Sequence, residues 1–292
     1  MLLPKFQYHR PADLSEALAA LSEYGPEAAV LAGGTDLLVK MKNKLATPKH
    51  LVALDIVEGL DEVAVANGDL RIGPMLTAAD LAQSQALEGS AAALALGAGS
   101  LGSPQVRNRA TVGGNVCNAR PAADMCVPLL ALGAKALLTN SGGERQVPLA
   151  EFFTGPGETV RRPDELLTAL LLDKPSPGSG AGYAKLGLRK ALEIALVNVA
   201  AVLSLDSDGK TIKEASVSLG AVAPTPILSP KAAEVLLGQA GGEKLFAAAG
   251  EAAAGDCRPI TDHRGSAEYR REMVKVLTRR ALHQAWQAAR GK

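Results

Sequence analysis

Two short segments, each built around a Gly-Gly pair, constrain the fold of this chain more than any other feature. The first reads Val30-Leu-Ala-Gly-Gly-Thr-Asp-Leu37 and the second reads Thr111-Val-Gly-Gly-Asn115. Paired glycines let backbone N–H groups approach an anion without a Cβ in the way, and polar neighbours can add hydrogen bonds. Either pair alone more often forms a simple tight turn. Together, two such segments predict a nucleotide-binding protein in which both contact one pyrophosphate.

Hydrophobic patterning along the chain predicts short strands and helices in mixed order, which is typical of an α+β fold. An apolar strand from Ala29 to Leu31 leads directly into the first glycine-rich segment. The second segment lies in a stretch from Gly97 to Asp124 that the pattern predicts to be irregular. Long irregular stretches in compact proteins usually carry function, so we expect the functional site in these two regions.

The main domain boundary is predicted at the stretch from Pro175 to Gly182, because its proline, serine and glycine content is typical of a linker. Three predicted strands and then three predicted helices follow it. Before it, strands and helices are mixed, with a break between two α+β parts near residue 56. We therefore expect a first domain over residues 1–176 and a smaller sheet-plus-helices domain over residues 177–292.

Composition excludes several classes of protein. The chain has 31 Lys and Arg residues against 30 Asp and Glu residues, a balance that argues against a general nucleic-acid binder. It contains no apolar run near the roughly 18 residues of a membrane span. Its N-terminal residues lack the apolar core of a secretory signal, so we expect a cytoplasmic protein.

The sequence predicts no metal site in this chain. Its three cysteines, Cys117, Cys126 and Cys257, are fewer than the four thiolates of an ordinary iron–sulfur cluster. They form no Cys-x-x-Cys motif, and the four histidines are scattered. The stretch Gly97 to Gly102 spells Gly-x-Gly-x-x-Gly, but a predicted helix precedes it where a dinucleotide fingerprint requires a strand.

Five ordered motifs carry a resemblance. The segment Ala32 to Leu37 is a glycine-rich loop before Thr-Asp-Leu, and the segment Arg107 to Asp124 reads Arg-Asn-x-x-Thr-Val-Gly-Gly-Asn and then Ala-x-Pro-x-x-Asp. The other three motifs are Gly182 to Gly187, Ala223 to Pro226 and Ser266 to Arg270. In order and spacing, over nearly the whole chain, they resemble the FAD-binding subunit of the xanthine dehydrogenase and carbon monoxide dehydrogenase family, the molybdenum hydroxylases.

The resemblance implies an FAD-binding domain of the vanillyl-alcohol-oxidase type and a small C-terminal domain. It implies that the first glycine-rich segment holds the FAD pyrophosphate and that the second forms a wall beside it. Asn118 and Asp124 would bond the sugar-like parts of the cofactor, and Lys185 would lie near the isoalloxazine ring. The implied cofactor-binding residues are Val30, Leu31, Ala32, Gly33, Gly34, Thr35, Asp36, Leu37, Leu101, Thr111, Val112, Gly113, Gly114, Asn115, Asn118, Asp124, Leu167 and Lys185.

The implied function is electron transfer by an oxidoreductase subunit. FAD would link the iron–sulfur clusters of a small partner subunit to an external acceptor such as NAD, a quinone or a ferredoxin. Substrate chemistry would take place at a molybdopterin in a large partner subunit, and the complex would be a dimer of heterotrimers. No residue of this chain besides the bound FAD would then be catalytic.

Two alternatives remain open at this point. A self-contained FAD-dependent oxidoreductase of the same superfold would need its own acid or base, and the sequence offers no convincing candidate. An assembly protein with a degenerate cofactor site is disfavoured because both Gly-Gly pairs are intact.

Overall fold

The computed structural model describes residues 3–66, 69–189 and 191–291. Within these ranges the chain forms strands and helices in mixed order, which confirms the predicted α+β fold. The strands form sheets of three, five and four strands and one short two-stranded pair. None of the helices in the described ranges has the length and the apolar character that a bilayer crossing requires.

The first part of the fold is a small parallel sheet with two helices. Its elements are β1 (Gln7–His9), α1 (Leu14–Tyr24), β2 (Ala28–Leu31), α2 (Leu37–Lys42) and β3 (His50–Ala53). The strands are parallel in the order β1-β3-β2. Asp13 begins α1 by accepting a hydrogen bond from the N–H of Glu16, and the Glu16 carboxylate accepts in return from the N–H of Ala12. The strand order leaves β2, and the glycine-rich segment that follows it, at an edge of the sheet.

The second part contains a five-stranded antiparallel sheet. Its elements are β4 (Val63–Ala66), β5 (Asp69–Ile72), α3 (Ala78–Gln83), α4 (Ala92–Gly99), α5 (Pro104–Arg107), α6 (Val112–Asn118), α7 (Cys126–Ala131), β6 (Lys135–Asn140), β7 (Gly143–Pro148), α8 (Leu149–Phe152), β8 (Phe153–Gly155), β9 (Glu158–Thr159) and β10 (Leu166–Leu172). The sheet order is β4-β5-β10-β6-β7, and β8 pairs with β9. The central strand β10 is buried along nearly its whole length, so it forms the middle of the hydrophobic core.

The stretch from Gly97 to Asp124 is not irregular, and the sequence prediction was wrong here. It contains the end of α4 and all of α5 and α6, and α6 follows Thr111, whose hydroxyl accepts from the N–H of Gly114 at 3.1 Å. Two successive glycines in a helix cost roughly 1 kcal/mol each, so the local pattern disfavours a helix. Packing overrides that preference, because Gly113 lies against Pro74, whose Cβ would be 2.5 Å from a Cβ at position 113.

The third part is an antiparallel sheet covered by helices. Its elements are β11 (Ser179–Leu186), β12 (Val197–Leu205), β13 (Ile212–Gly220), β14 (Ile227–Leu228), α9 (Pro230–Leu236), α10 (Glu243–Ala254) and α11 (Ala267–Ala289). The strands follow one another in chain order across the sheet. Helix α11 packs along β11 and β12 and against α10, so it covers one face of the sheet.

The stretch from Pro175 to Gly182 is only partly a linker, which corrects the interpretation of its composition. Strand β11 begins at Ser179, so the two glycines of its first half lie in a sheet and not in a flexible connection. Both lie under α11: a Cβ at Gly180 would be 2.3 Å from the carbonyl oxygen of Ala285, and one at Gly182 would be 2.0 Å from that of Ala281. The glycines are needed for close packing. The domain boundary near residue 176 stays a prediction.

We predict that Gly182→Ala destabilises the protein by about 3 kcal/mol, because the new methyl group collides with helix backbone, which cannot rotate away. Denaturant unfolding followed by circular dichroism measures the change. Gly99→Ala is the matched control: it adds the same methyl group in a helix, where the nearest atom would be 3.7 Å away. We expect the control to be neutral or slightly stabilising. Equal stability of the two variants would contradict the packing role of Gly182.

Candidate functional site

A cavity of about 1070 Å³ lies where the three parts of the fold meet. The first part contributes the segment between β2 and α2. The second contributes α6, the segment that follows it up to Asp124, and the start of β10. The third contributes residues 192–195 and some of the residues in the ranges 221–224 and 258–270. A cavity of this size holds a cofactor-sized ligand.

All but three of the residues that the sequence predicts as cofactor contacts line this cavity, so the structure brings the two glycine-rich segments to one place. The lining residues among them are Val30, Ala32, Gly33, Gly34, Thr35, Asp36, Leu37, Leu101, Thr111, Gly113, Gly114, Asn115, Asn118, Asp124 and Leu167. Leu31, Val112 and Lys185 are not on the cavity wall. Leu31 ends β2 beside β3, and Val112 is fully buried in the hydrophobic core of the second part.

The first glycine-rich segment crosses the backbone that leads into the second. A Cβ on Gly33 would be 1.8 Å from the carbonyl oxygen of Arg109, so only glycine permits this crossing. The next residue, Gly34, has a φ of +73°, which is the left-handed conformation that glycine adopts without strain. These two backbone requirements explain why both glycines of the first pair are needed.

The first segment carries a run of unpaired backbone donors. Among the described residues, we find no protein acceptor for the N–H groups of Gly33, Gly34, Thr35, Asp36 and Leu37. These five residues line the cavity and directly precede or begin α2. Successive unpaired N–H groups of this kind form an anion-binding concavity.

The second segment differs from the first in this respect. The N–H groups of Val112 and Gly113 donate to the carbonyl oxygens of Leu76 and Pro74 at 2.9 and 2.8 Å. The N–H of Gly114 donates to the Thr111 hydroxyl. Since these donors at the start of α6 are already used, the second segment offers a smooth wall without side chains and not a second set of N–H groups. The glycine pattern alone does not distinguish the two pairs, whereas the backbone hydrogen bonds give the second segment the wall-like character that the resemblance implies.

Lysine and arginine side chains surround one side of the cavity. Lys40 extends from α2 and donates to the Asn118 side-chain oxygen at 2.6 Å, and Arg120 and Arg161 line the wall nearby. Burial lowers the pKa of Lys40, and the neighbouring charge of Arg120 lowers it further. A negatively charged ligand beside Lys40 would oppose this shift and stabilise its charged form. The sequence motifs do not indicate these residues, because Lys40 follows the first motif, Arg120 stands at a variable position of the second, and Arg161 lies far along the chain from both.

Most acidic residues on the cavity wall are neutralised by partners. Glu165 is almost fully buried and accepts two hydrogen bonds from Arg145, at 2.6 and 2.8 Å, which hold the pKa of its carboxyl below the usual range. Glu193 is paired with Arg189, and Asp262 is paired with Arg264 and Arg270. Asp124 is paired with Lys185. Lys40, Arg120 and Arg161 therefore give this side of the cavity a positive character suited to a diphosphate.

Asp124 is at the centre of a buried network that joins the second and third parts. Its Oδ1 accepts from the Tyr183 hydroxyl at 2.8 Å, and its Oδ2 accepts from Lys185 Nζ at 2.6 Å. Lys185 also donates to the carbonyl oxygen of Ser100 at 3.1 Å. Burial raises the pKa of the Asp124 carboxyl, and Lys185 and Tyr183 oppose that shift. The ammonium of Lys185 is thus bound to Asp124, which explains why this residue is absent from the cavity wall.

Two family models together cover almost the whole chain. Residues 4–174 match the model described as the FAD binding domain in molybdopterin dehydrogenase, and residues 183–285 match the CO dehydrogenase flavoprotein C-terminal domain. The chain belongs to the FAD-binding subunits of the molybdopterin dehydrogenases. The fold and the cofactor expected from the resemblance are thereby confirmed.

Individual relatives of this FAD-binding subunit agree with the assignment. The carbon monoxide dehydrogenase medium chain of Afipia carboxidovorans is 37% identical over 285 residues, covering 98% of both chains. The xanthine dehydrogenase FAD-binding subunit of Escherichia coli O157:H7 is 32% identical and covers 98% of this chain and 97% of its own. The solved carbon monoxide dehydrogenase of Hydrogenophaga pseudoflava includes a chain that superposes with a TM-score of 0.93 at 32% identity, covering 99% of each chain.

We predict opposite outcomes for the two glycines of the second segment. Gly114 lines the cavity, and a Cβ there would have only the Thr111 hydroxyl oxygen within 4 Å, at 3.0 Å. Gly114→Val should therefore fold with a loss of stability of about 1 kcal/mol but lower FAD occupancy at least about tenfold, because its side chain takes space at the cavity wall. Gly113→Ala should instead destabilise the fold by about 2 kcal/mol, since its methyl group meets Pro74. Denaturant unfolding and flavin absorbance per chain measure the two effects. Normal FAD occupancy in Gly114→Val would refute the wall assignment.

Proposed function

We propose that this chain is the electron-transfer flavoprotein subunit of a molybdopterin-dependent hydroxylase or dehydrogenase. It passes electrons between the iron–sulfur clusters of a partner subunit and an external acceptor. The observation that carries the proposal is the run of unpaired N–H groups from Gly33 to Leu37 on the wall of a cofactor-sized cavity. An FAD-binding subunit needs such a set of donors for the cofactor diphosphate.

The residues of the cavity suit FAD part by part. We assign the diphosphate to the N–H groups between Gly33 and Leu37, with Lys40 and Arg120 supplying positive charge. On the opposite side of the cavity, Gly113 and Gly114 of α6 have no side chains and let the cofactor lie close to the helix backbone. Asp124 and Asn118 offer oxygen acceptors to hydroxyl groups of the cofactor. Leu101 and Leu167 offer apolar surface to its ring systems.

Bound FAD supplies the ability to take up and release electrons singly or in pairs, which side chains lack. The work of this chain is to bind the cofactor, orient it and control its surroundings. In the described ranges, no group of three or more metal-ligating side chains comes together. The chain has three cysteines, and Cys126 and Cys257 are buried. We therefore assign the iron–sulfur clusters to a small partner subunit and the molybdopterin to a large one.

The names of the relatives support the assignment of electron transfer and substrate chemistry to different subunits. They include a glyceraldehyde dehydrogenase medium chain of Sulfolobus acidocaldarius and a nicotine 6-hydroxylase medium subunit of Paenarthrobacter nicotinovorans, at 31% and 32% identity. Subunits this similar belong to enzymes with chemically unrelated substrates. The substrate chemistry of the proposed complex therefore belongs to another subunit. The acceptor we propose is NAD, a quinone or a ferredoxin, and we expect a cytoplasmic dimer of heterotrimers.

The assembled complex tests the proposal directly. The chain carries an affinity tag and is isolated from its native host under mild conditions. We expect two further polypeptides, FAD released by heat, and iron and molybdenum in the same particle. A particle with FAD but without iron and molybdenum, in which the isolated chain oxidises or reduces a small substrate, would favour the self-contained oxidoreductase. Absence of flavin from the intact particle would refute the proposal.

We predict that Lys40→Met weakens FAD binding about five- to tenfold and leaves riboflavin binding unchanged, because riboflavin lacks the diphosphate whose charge Lys40 would balance. Titration of cofactor-free protein, followed by flavin fluorescence, measures both affinities. Lys42→Met is the matched control: Lys42 ends the same helix, is exposed and does not line the cavity. Equal losses for FAD and riboflavin would show that Lys40 does not act on the diphosphate.

A further inference from the structure

The Asp124 network contains a residue that the cavity itself does not reveal. Tyr183 is not on the cavity wall, yet its hydroxyl is 2.8 Å from Asp124 Oδ1. Tyr183 and Lys185 are two residues apart on β11, so both side chains leave the same face of the strand. That face of the third part meets Asp124 of the second part, and the two oxygens of one carboxylate receive one donor each.

The hydrogen bond from Tyr183 has a defined direction. An ionised carboxylate only accepts, so the Tyr183 hydroxyl must donate to Asp124. The Asn198 side-chain amide lies 3.0 Å from the same hydroxyl and donates to it from β12. The phenol ring packs against Val127, Ala131 and Ala200, which hold it in place. The hydroxyl therefore has a fixed position and a fixed orientation.

Resting on the function proposed above, we propose that Tyr183 is a positioning residue for FAD. Its hydroxyl holds the Asp124 carboxylate in place and in its ionised form. The remaining acceptor positions of the carboxylate are then free for hydroxyl groups of the cofactor. An ionised carboxylate has about four acceptor positions, and Tyr183 and Lys185 take two of them. Lys185 also balances the negative charge, so Asp124 does not repel a diphosphate ligand. The third part of the fold thus controls a cofactor contact made by the second part.

The proposal has a consequence for pH dependence. The titratable groups that face Asp124 are Lys185 and Tyr183 on β11 and the buried thiol of Cys126 on α7, and the carbonyl of Ser100, directly after α4, accepts from Lys185. Burial raises the pKa of Asp124, and the Tyr183 hydrogen bond is one of the interactions that lower it. Without that hydroxyl the carboxyl takes up a proton at higher pH, and the protonated group offers fewer acceptor positions to the cofactor.

Tyr183→Phe tests the proposal, with FAD titrated into cofactor-free protein from mildly acidic to neutral pH. We expect FAD binding about tenfold weaker at neutral pH, since a hydrogen bond to a charged group is lost, and a decline on acidification that begins at higher pH than in the wild-type protein. Asp124→Asn should bind FAD weakly without this decline. Wild-type affinity and an unchanged pH profile in Tyr183→Phe would overturn the proposal.

The double variant separates positioning from folding. If Tyr183 acts through Asp124, adding Tyr183→Phe to Asp124→Asn should weaken FAD binding further by less than about twofold. The same tenfold loss in both backgrounds would show a purely structural role and would overturn the proposal. If Tyr183→Phe fails to fold, a wild-type-like acidic decline in Asp124→Asn would overturn it instead. Failure of the wild-type chain, alone and with its partners, to bind any FAD would refute the proposed function and not merely this inference.

Discussion

The backbone contact between Gly33 and the Arg109 carbonyl determines the shape of the cavity. It brings the segment after β2 against the segment between α5 and α6, at a distance that any Cβ would prevent. Gly34 then turns the chain through a left-handed conformation, and the N–H groups that follow have no protein partner in the described part of the chain. These five residues are half-buried or exposed, so solvent or a ligand can accept from their N–H groups. The crossing and the anion site are therefore two results of one geometry.

The sequence predicted the α+β fold and the meeting of the two glycine-rich segments. The resemblance implied a wall from the second segment, but the glycine pattern does not show why the roles of the two segments differ. Their letters are similar because glycine serves close backbone approach in both places. The roles differ because the N–H groups of Val112 and Gly113 are taken by Leu76 and Pro74, which come from another segment of the chain. No local pattern contains that information, since hydrogen bonding depends on which backbone lies opposite. The same reason explains why α6 was predicted as an irregular stretch.

The third part shows the same limit of local patterns. Gly180 and Gly182 follow a proline- and serine-rich stretch, and their composition alone indicates a linker. In the fold they let α11 approach the sheet, so a feature typical of flexibility instead marks tight packing. Lys185 is a related case. The resemblance implied a place beside the flavin ring, and its closest charged partner, Asp124, is 61 positions away in the chain. An ion pair over that separation depends on tertiary packing.

The charge arrangement explains why a subunit with nearly balanced composition can bind a dianionic group. Asp124, Glu165, Glu193 and Asp262 are each paired, so the negative charge of the cavity wall is largely cancelled before any ligand arrives. The pair between Asp124 and Lys185 also fastens the second part to the third. Removing either partner by substitution would leave the other charge buried and unpaired, and that costs roughly 3–5 kcal/mol. The wall that faces the cofactor is thereby held in one arrangement before binding. Less conformational freedom is then lost on binding, which strengthens affinity without a further contact.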